Sequence, residues 1–294
     1  MLSDDVSGSI ELSGVHIKDD IRRFILEDLG FNDITTHSII DKRVLARAKV
    51  ICNETAILAG LVEASIVFSI LGCSVEFLKK DGSRVPPGTP IMSIDGPAQS
   101  ILSGERTALN LLMRMSGIAS ATKRLVKKIS NIHSNVRIAC TRKTAPGLRF
   151  FDKKAVEIGG GDTHRLRLDD AILIKTNHLR LVGSIKSAVR EAKAKGSFTK
   201  KIEVEVETRR QAIDAAEAGV DIIMLDNLEP KEIRETLREL EKRKLRKRVL
   251  IEASGGITED NIMDYATTGV DVISIGALTH SIHAININLI IEKK

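Results

Sequence analysis

The chain has 294 residues, 43% of them hydrophobic, and a formal net charge of +6. That length and apolar content exclude a disordered chain and suit one large domain, or a large one with a smaller companion. No apolar stretch reaches the length of a membrane span, and the three scattered cysteines (Cys52, Cys73, Cys140) form neither a disulfide framework nor a CxxC metal site, so a reducing cytoplasm is the natural compartment.

The opening segment MLSDDVSGSI has no basic start and no long apolar run, so no signal peptide is expected. Ile21, Phe24, Ile25 and Leu29 share one face of a helix that Gly30 can end. Segments around 45–52, 56–61, 74–79 and 90–94 read as short strands, and DGSRVPPGTP (81–90) as a turn cluster. A small α+β domain follows from this pattern. Residues 104–129 then read as one or two helices, with Gly117 as a possible break.

After residue 130 a rhythm sets in: short apolar strand, polar loop, helix. The strands are expected at Val136–Cys140, Ala171–Ile174, Ile202–Val206, Asp221–Leu225, Val249–Ala253 and Val272–Ile275, with a seventh near 155–158. A weak repeat, AGVDIIMLDN (218–227) and TGVDVISIGA (268–277), supports the reading. Alternating β and α units imply parallel strands with helical crossovers, in an open sheet or a closed barrel. Every expected strand delivers polar or glycine residues at its C-terminal end, as a barrel mouth requires. GGGDTHR (159–165) is not the G-x-G-x-x-G fingerprint of an open dinucleotide-binding sheet. The barrel is preferred.

In IEVEVE (202–207) the side chains alternate, so Glu203, Glu205 and Glu207 face the barrel interior while Ile202, Val204 and Val206 meet the outer helices. Buried carboxylates need partners, and Arg142, Lys143 and Lys175 are at hand. The mouth would gather these cations with His164, Arg165 and Asp226, a set suited to a substrate with several negative groups. SGGIT (254–258) offers backbone N–H groups at an expected helix start, and GALTHS (276–281) offers a second such cradle, both fit for phosphate. Arg149, Lys153, Lys154 and Arg167 read as surface charges, and His178 as a loop cap. KRKLRKR (242–248) reads as a solvated helix end, since no nucleic-acid module or stacking aromatics accompany it.

Taken together, GERTALNLLMRMSGIA (104–119), TRKTAPGLR (141–149), AVEIGGGDTHRLRLDDAILIKTNH (155–178), EVEVE (203–207), IMLDN (223–227), EASGGI (252–257) and ISIGALTHS (273–281) resemble the quinolinate phosphoribosyltransferase family over most of the chain. The resemblance implies an N-terminal α/β sandwich domain (1–114) and an incomplete parallel α/β barrel (115–277), with a C-terminal helix (278–294) returning to the first domain. It implies transfer of phosphoribosyl from 5-phosphoribosyl-1-pyrophosphate to quinolinate with loss of CO2, in NAD biosynthesis. Magnesium would travel with the pyrophosphate, and the subunits would form a dimer or larger homo-oligomer, with no membrane or nucleic acid involved. By the same resemblance Thr141, Arg142, Lys143, His164, Arg165 and Lys175 bind the acceptor's carboxylates and nearby phosphates, and Arg106 reaches a neighbouring subunit's site. Glu205 and Asp226 flank the ribose. Lys143, Lys175, Glu205 and Asp226 take the catalytic roles. Ser254, Gly255, Gly256, Ile275, Gly276, Ala277 and His280 match the loops at the 5′-phosphate. Thr163 and Thr176 stand where the family pattern leads one to expect Asn and Asp. Same-fold alternatives are a molybdenum-associated homologue or nicotinate phosphoribosyltransferase. A non-catalytic RNA-binding protein would instead show strongly salt-dependent binding and no turnover.

Overall fold

The structure is a computed structural model that describes residues 11–130 and 135–294, with side chains from Ile17 onward. The segment in which no signal peptide is expected lies outside the described residues. The chain divides into two compact units, 1–120 with 282–294, and 121–281.

The first unit opens with helices α1 (Glu11–Leu29) and α2 (Ile34–Ile39). Strands β1 (Leu45–Cys52) and β2 (Ala56–Ile57), helix α3 (Leu61–Ile70) and strands β3 (Ser74–Phe77), β4 (Arg84–Val85) and β5 (Thr89–Pro97) follow. The long helix α4 (Ala98–Ser130) carries the chain across the division between the units. Alternation builds the sheet: in β1, Ala46, Ala48, Val50 and Cys52 turn inward while the residues between them turn outward. The turn cluster 81–90 also holds β4, which pairs with β2 in a ribbon of its own. Segment 61–70, LVEASIVFSI, packs as a helix with Ala64, Val67 and Phe68 fully buried.

Of the one or two helices expected over residues 104–129 the structure forms one, and Gly117 does not interrupt it. Its lack of a side chain lets another strand of backbone come close: a Cβ there would sit 2.1 Å from the carbonyl oxygen of His283. Gly117→Ala is therefore expected to destabilise the protein by about 2 kcal/mol, despite alanine's better helix propensity. Its thermal unfolding midpoint should fall by roughly 4–8 °C; an unchanged midpoint would count against the close approach.

The C-terminal segment departs from the helix expected for it. It is a strand rather than a helix. INLIIEK (Ile287–Lys293) pairs antiparallel along β1, from Cys52↔Ile287 to Ala46↔Lys293, and completes a sheet of order C-terminal strand–β1–β5–β3. Its run of β-branched residues, offered the free edge of β1, satisfies its backbone groups there.

The second unit contains β6 (Arg137–Ala139), α5 (Arg149–Ile158), β7 (Ile172–Ile174), α6 (Thr176–Val182), α7 (Ile185–Lys195) and β8 (Ile202–Val206). It continues through α8 (Arg209–Glu217), β9 (Ile222–Asp226), α9 (Pro230–Lys242), β10 (Leu250–Ser254), α10 (Ile262–Ala266), β11 (Val272–Ser274) and α11 (Ala277–His280), leaving the C-terminal strand as β12. The six strands β6–β11 are parallel, in the order β6-β11-β10-β9-β8-β7. Chain order runs around this sheet, and the first strand lies beside the last. The sheet thus curls into a barrel with a gap between β6 and β7. Residues 155–158, expected as a seventh strand, belong to helix α5, which buries Phe151, Ala155 and Val156. The gap is instead edged by Asp162, which bridges β6 at Ala139: Asp162 N–H donates to Ile138 O (2.7 Å) and Cys140 N–H to Asp162 O (3.1 Å). No helix of the described residues is long and apolar enough to cross a membrane.

Candidate active site

Because β6–β11 are parallel, their C-terminal ends open on one side of the barrel, and the loops there carry the expected residues. Thr141, Arg142 and Lys143 follow β6, Lys175 follows β7, Glu205 lies in β8, and Asp226 ends β9. Lys175 Nζ donates to Glu205 Oε2 at 2.7 Å, and Thr176 Oγ1 donates to Glu205 Oε1 at 3.2 Å. Burial alone would raise the Glu205 pKa, but Lys175 and Thr176 outweigh it and hold the carboxyl below its ordinary value. An aspartate at position 176 would repel Glu205; threonine can donate to it.

Asp226 lies close enough to Glu205, Lys175 and Lys143 to sense all three charges. Burial, reinforced by the repulsion of Glu205, raises its pKa. Two acids thus share the mouth, one of them short of positive charge. Such a pair suits a hard divalent cation with oxygen ligands, or a developing positive charge.

The cations are arranged the opposite way. Among the described residues Arg142, Lys143 and Arg165 have no carboxylate partner in an ion pair. Arg142 Nε is buried without a hydrogen-bond partner among the described residues. Arg165 is held below its usual pKa by burial and by the neighbouring Arg142 guanidinium. Cations brought together against their own repulsion are a site for a polyanion.

Beneath the cations lies a cluster that sequence reading did not find. His164 Nε2 stands 3.3 Å from Glu252 Oε2 and 3.6 Å from Glu203 Oε2. Glu203 and Glu252 are 1% and 2% exposed, so of the IEVEVE glutamates only Glu203 is fully buried and its partner is histidine rather than arginine or lysine. Glu207 is exposed. Burial opposes a charge on His164, yet the two carboxylates raise its pKa to about 10. Arg165 N–H lies 2.7 Å from His164 Nδ1, which favours a neutral ring with its proton on Nε2. Burial and the neighbouring Glu252 push the Glu203 pKa up, so the imidazole and this carboxyl titrate together, and Arg165 lies close enough to feel Glu203.

Lys153, expected on the surface, is 2% exposed. Its ammonium donates to the carbonyl of Thr163, which also accepts from Cys140 Sγ at 3.3 Å. Burial lowers the Lys153 pKa and raises that of the Cys140 thiol. Lys153→Met keeps the stem but leaves the Thr163 carbonyl short of a donor. A loss of about 1–3 kcal/mol in denaturant unfolding is expected; wild-type stability would refute the assignment. Arg149 is half-buried and bonded to Thr144, and Arg167 is exposed. His178 caps α6, accepting from Lys175 N–H at 2.8 Å.

The two glycine loops complete the rim. SGGIT does not begin a helix: α10 starts only at Ile262. Gly255 and Gly256 instead take left-handed φ values of 92° and 62°, and a Cβ on Gly255 would lie 2.8 Å from the Asn227 nitrogen. At the other loop, Ile275 is buried and Gly276 is followed by Ala277 at the start of α11. Thr279 Oγ1 donates to Lys143 O at 2.9 Å, so this loop is tied to the β6 loop, and His280 is exposed beside it. Ser254 O accepts from Asn227 N–H at 2.8 Å. Arg106 belongs to the first unit, where it is exposed on α4. The basic run 242–248 includes a short 3-10 turn in which Arg246 pairs with Asp271 at 2.9 Å.

Comparison with known proteins follows this geometry. Residues 118–290 match the family model described as quinolinate phosphoribosyl transferase, C-terminal domain, and residues 33–116 match that of the N-terminal domain. The chain is 48% identical over 271 residues to a Methanothermobacter thermautotrophicus protein named "Probable nicotinate-nucleotide pyrophosphorylase (carboxylating)", covering 92% of this chain and 97% of that one. It is 37% identical over 244 residues to the Homo sapiens nicotinate-nucleotide pyrophosphorylase (carboxylating), covering 83% and 82%. The crystal structure of NadC from Streptococcus pyogenes is similar with a TM-score of 0.88 at 36% identity, over 95% of this chain and 98% of that one.

Proposed function

The chain belongs to the quinolinate phosphoribosyltransferase family, and from that premise we propose that the barrel mouth is where quinolinate meets 5-phosphoribosyl-1-pyrophosphate. The enzyme joins the pyridine nitrogen of quinolinate to the ribose anomeric carbon, releases pyrophosphate and CO2, and yields nicotinate mononucleotide for NAD biosynthesis. One observation carries the site assignment: Arg142, Lys143 and Arg165 crowd one mouth and, among the described residues, none of them is closed in an ion pair with a carboxylate. A dicarboxylate would supply the missing charge.

The roles follow from charge. Arg142, Arg165, Thr141 and His164 bind and orient the acceptor's carboxylates, with Lys143 and Lys175 reaching carboxylate or phosphate oxygens. As pyrophosphate departs, positive character grows on the anomeric carbon. Glu205 and Asp226 stabilise it by position, since they need not move when the charge appears. Ribosylation makes the ring nitrogen cationic, and the ring then absorbs the electron pair left at C2 when CO2 leaves. The protein's task in that step is to hold the ring and exclude competing reactions. The 5′-phosphate is assigned to the backbone of Ser254, Gly255, Gly256, Ile275, Gly276 and Ala277, with His280 alongside.

Magnesium fits the acid pair at the mouth, and we assign it mainly to the pyrophosphate, touched by Glu205 and Asp226. When bound it neutralises charge on the leaving group. A homodimer or larger assembly is also proposed, with the exposed Arg106 reaching a neighbouring subunit's site. The three buried free thiols fit a reducing, cytoplasmic compartment.

The test compares acceptors. With magnesium and the activated ribose, quinolinate should give nicotinate mononucleotide by chromatography, and nicotinate should give none. Product from nicotinate alone would overturn the assignment in favour of another acceptor class.

A further inference from the structure

The turn Asp162–Arg165 is held from three directions. Lys153 and Cys140 fix the Thr163 carbonyl, and His164 N–H donates to Asp162 Oδ1 at 2.7 Å. The third hold is the imidazole between Glu203 and Glu252. His164 has φ 51°, a left-handed backbone that is strained for a non-glycine residue. Glu203 Oε1 and Glu252 Oε1 are both buried without a hydrogen-bond partner among the described residues. Two nearly inaccessible carboxylates with spare oxygens are a poor way to stabilise a barrel floor, where apolar residues of similar size do as well or better. Their geometry points elsewhere. Glu203 comes from β8 and Glu252 from β10, two strands apart through β9, and among the described residues the partner they share is the ring of His164. The next residue is Arg165.

We propose that Glu203 and Glu252 are positioning residues for the acceptor: they clamp the His164 ring, and through it set the direction of the Arg165 guanidinium. The proposal rests on the reading of this mouth as the quinolinate site. Neither glutamate touches substrate. Each acts through the turn, so the effect falls on acceptor binding and not on the activated ribose.

A double-mutant cycle tests this. Glu252→Gln keeps the shape and removes the charge. It should raise the KM for quinolinate about tenfold while the KM for 5-phosphoribosyl-1-pyrophosphate stays within twofold. In an Arg165→Lys background the same change should add little, because the group being aimed has already been replaced. Glu203→Gln serves as a second, independent entry to the cycle should the first variant fold poorly, with folding checked by thermal unfolding. Additive losses, or an equal rise in both KM values, would overturn the proposal in favour of a general structural role. Elemental analysis gives a further outcome: one equivalent of a transition metal in the purified wild type, absent from Glu252→Gln together with its activity, would make the cluster a metal site and also overturn it. A wild-type protein inactive toward quinolinate would instead sink the functional reading itself, a result separable from all of these.

Discussion

Arg165→Ala is expected to lower kcat/KM for quinolinate by about a thousandfold while leaving the fold intact. The guanidinium can make two charge-assisted bonds to a carboxylate, each worth roughly 1.5–3 kcal/mol, and about 4 kcal/mol corresponds to three decades. Stability should hardly suffer. Arg165 has no carboxylate ion-pair partner among the described residues, and the nearby Arg142 opposes its charge. The attraction of Glu203 and Asp170 for the same guanidinium works against that repulsion, so the unfolding midpoint should move little either way. Steady-state kinetics with quinolinate varied, beside thermal unfolding of the same preparation, checks both halves. Wild-type kinetics in Arg165→Ala would remove it from the site.

Asp226→Asn should cost a comparable amount, but in kcat. The asparagine keeps the size and much of the hydrogen bonding, and loses the charge proposed above to face the anomeric carbon. Loss of one preorganised electrostatic group typically lowers kcat about a hundredfold to a thousandfold. The pH profile adds a separate signature. Burial first, then Glu205, raises the pKa of Asp226 above its ordinary 3.8. The carboxylate is the useful form, so activity should fall as pH drops through this raised value, earlier than an ordinary aspartate would dictate. The residual activity of Asp226→Asn should lack that acid limb. An identical limb in both proteins would assign it to another group.

Much of the barrel could be read from the chain because short apolar runs alternate with amphipathic helices and end in glycine or acid. Strand β8 falls at Ile202–Val206, as its alternation of Ile and Val with Glu requires. The C-terminal ends of such strands point to one mouth whatever the details of the helices, so the cations and acids could be grouped before any coordinates.

What escaped sequence reading depends on packing between distant segments. Glu252 partners His164 only because β10 lies two strands from β8 in the sheet, and nothing local to EASGGI announces that. Lys153 sits in DKK, which reads as a charged helix face, yet α5 turns both Asp152 and Lys153 inward. The C-terminal helix is expected from the family resemblance and not from the residues, and INLII instead forms a strand on the free edge of β1. LVEASIVFSI is apolar almost throughout, so its periodicity is too weak to mark it as helix α3.

Quinolinate is expected to be both ribosylated and decarboxylated in this one mouth. Quinolinate labelled at its 2-carboxylate, incubated with the protein, magnesium and 5-phosphoribosyl-1-pyrophosphate, should release labelled CO2 and pyrophosphate in equal amounts, and only when all components are present. Pyrophosphate released without labelled CO2, or no release of either from a folded protein, would contradict it.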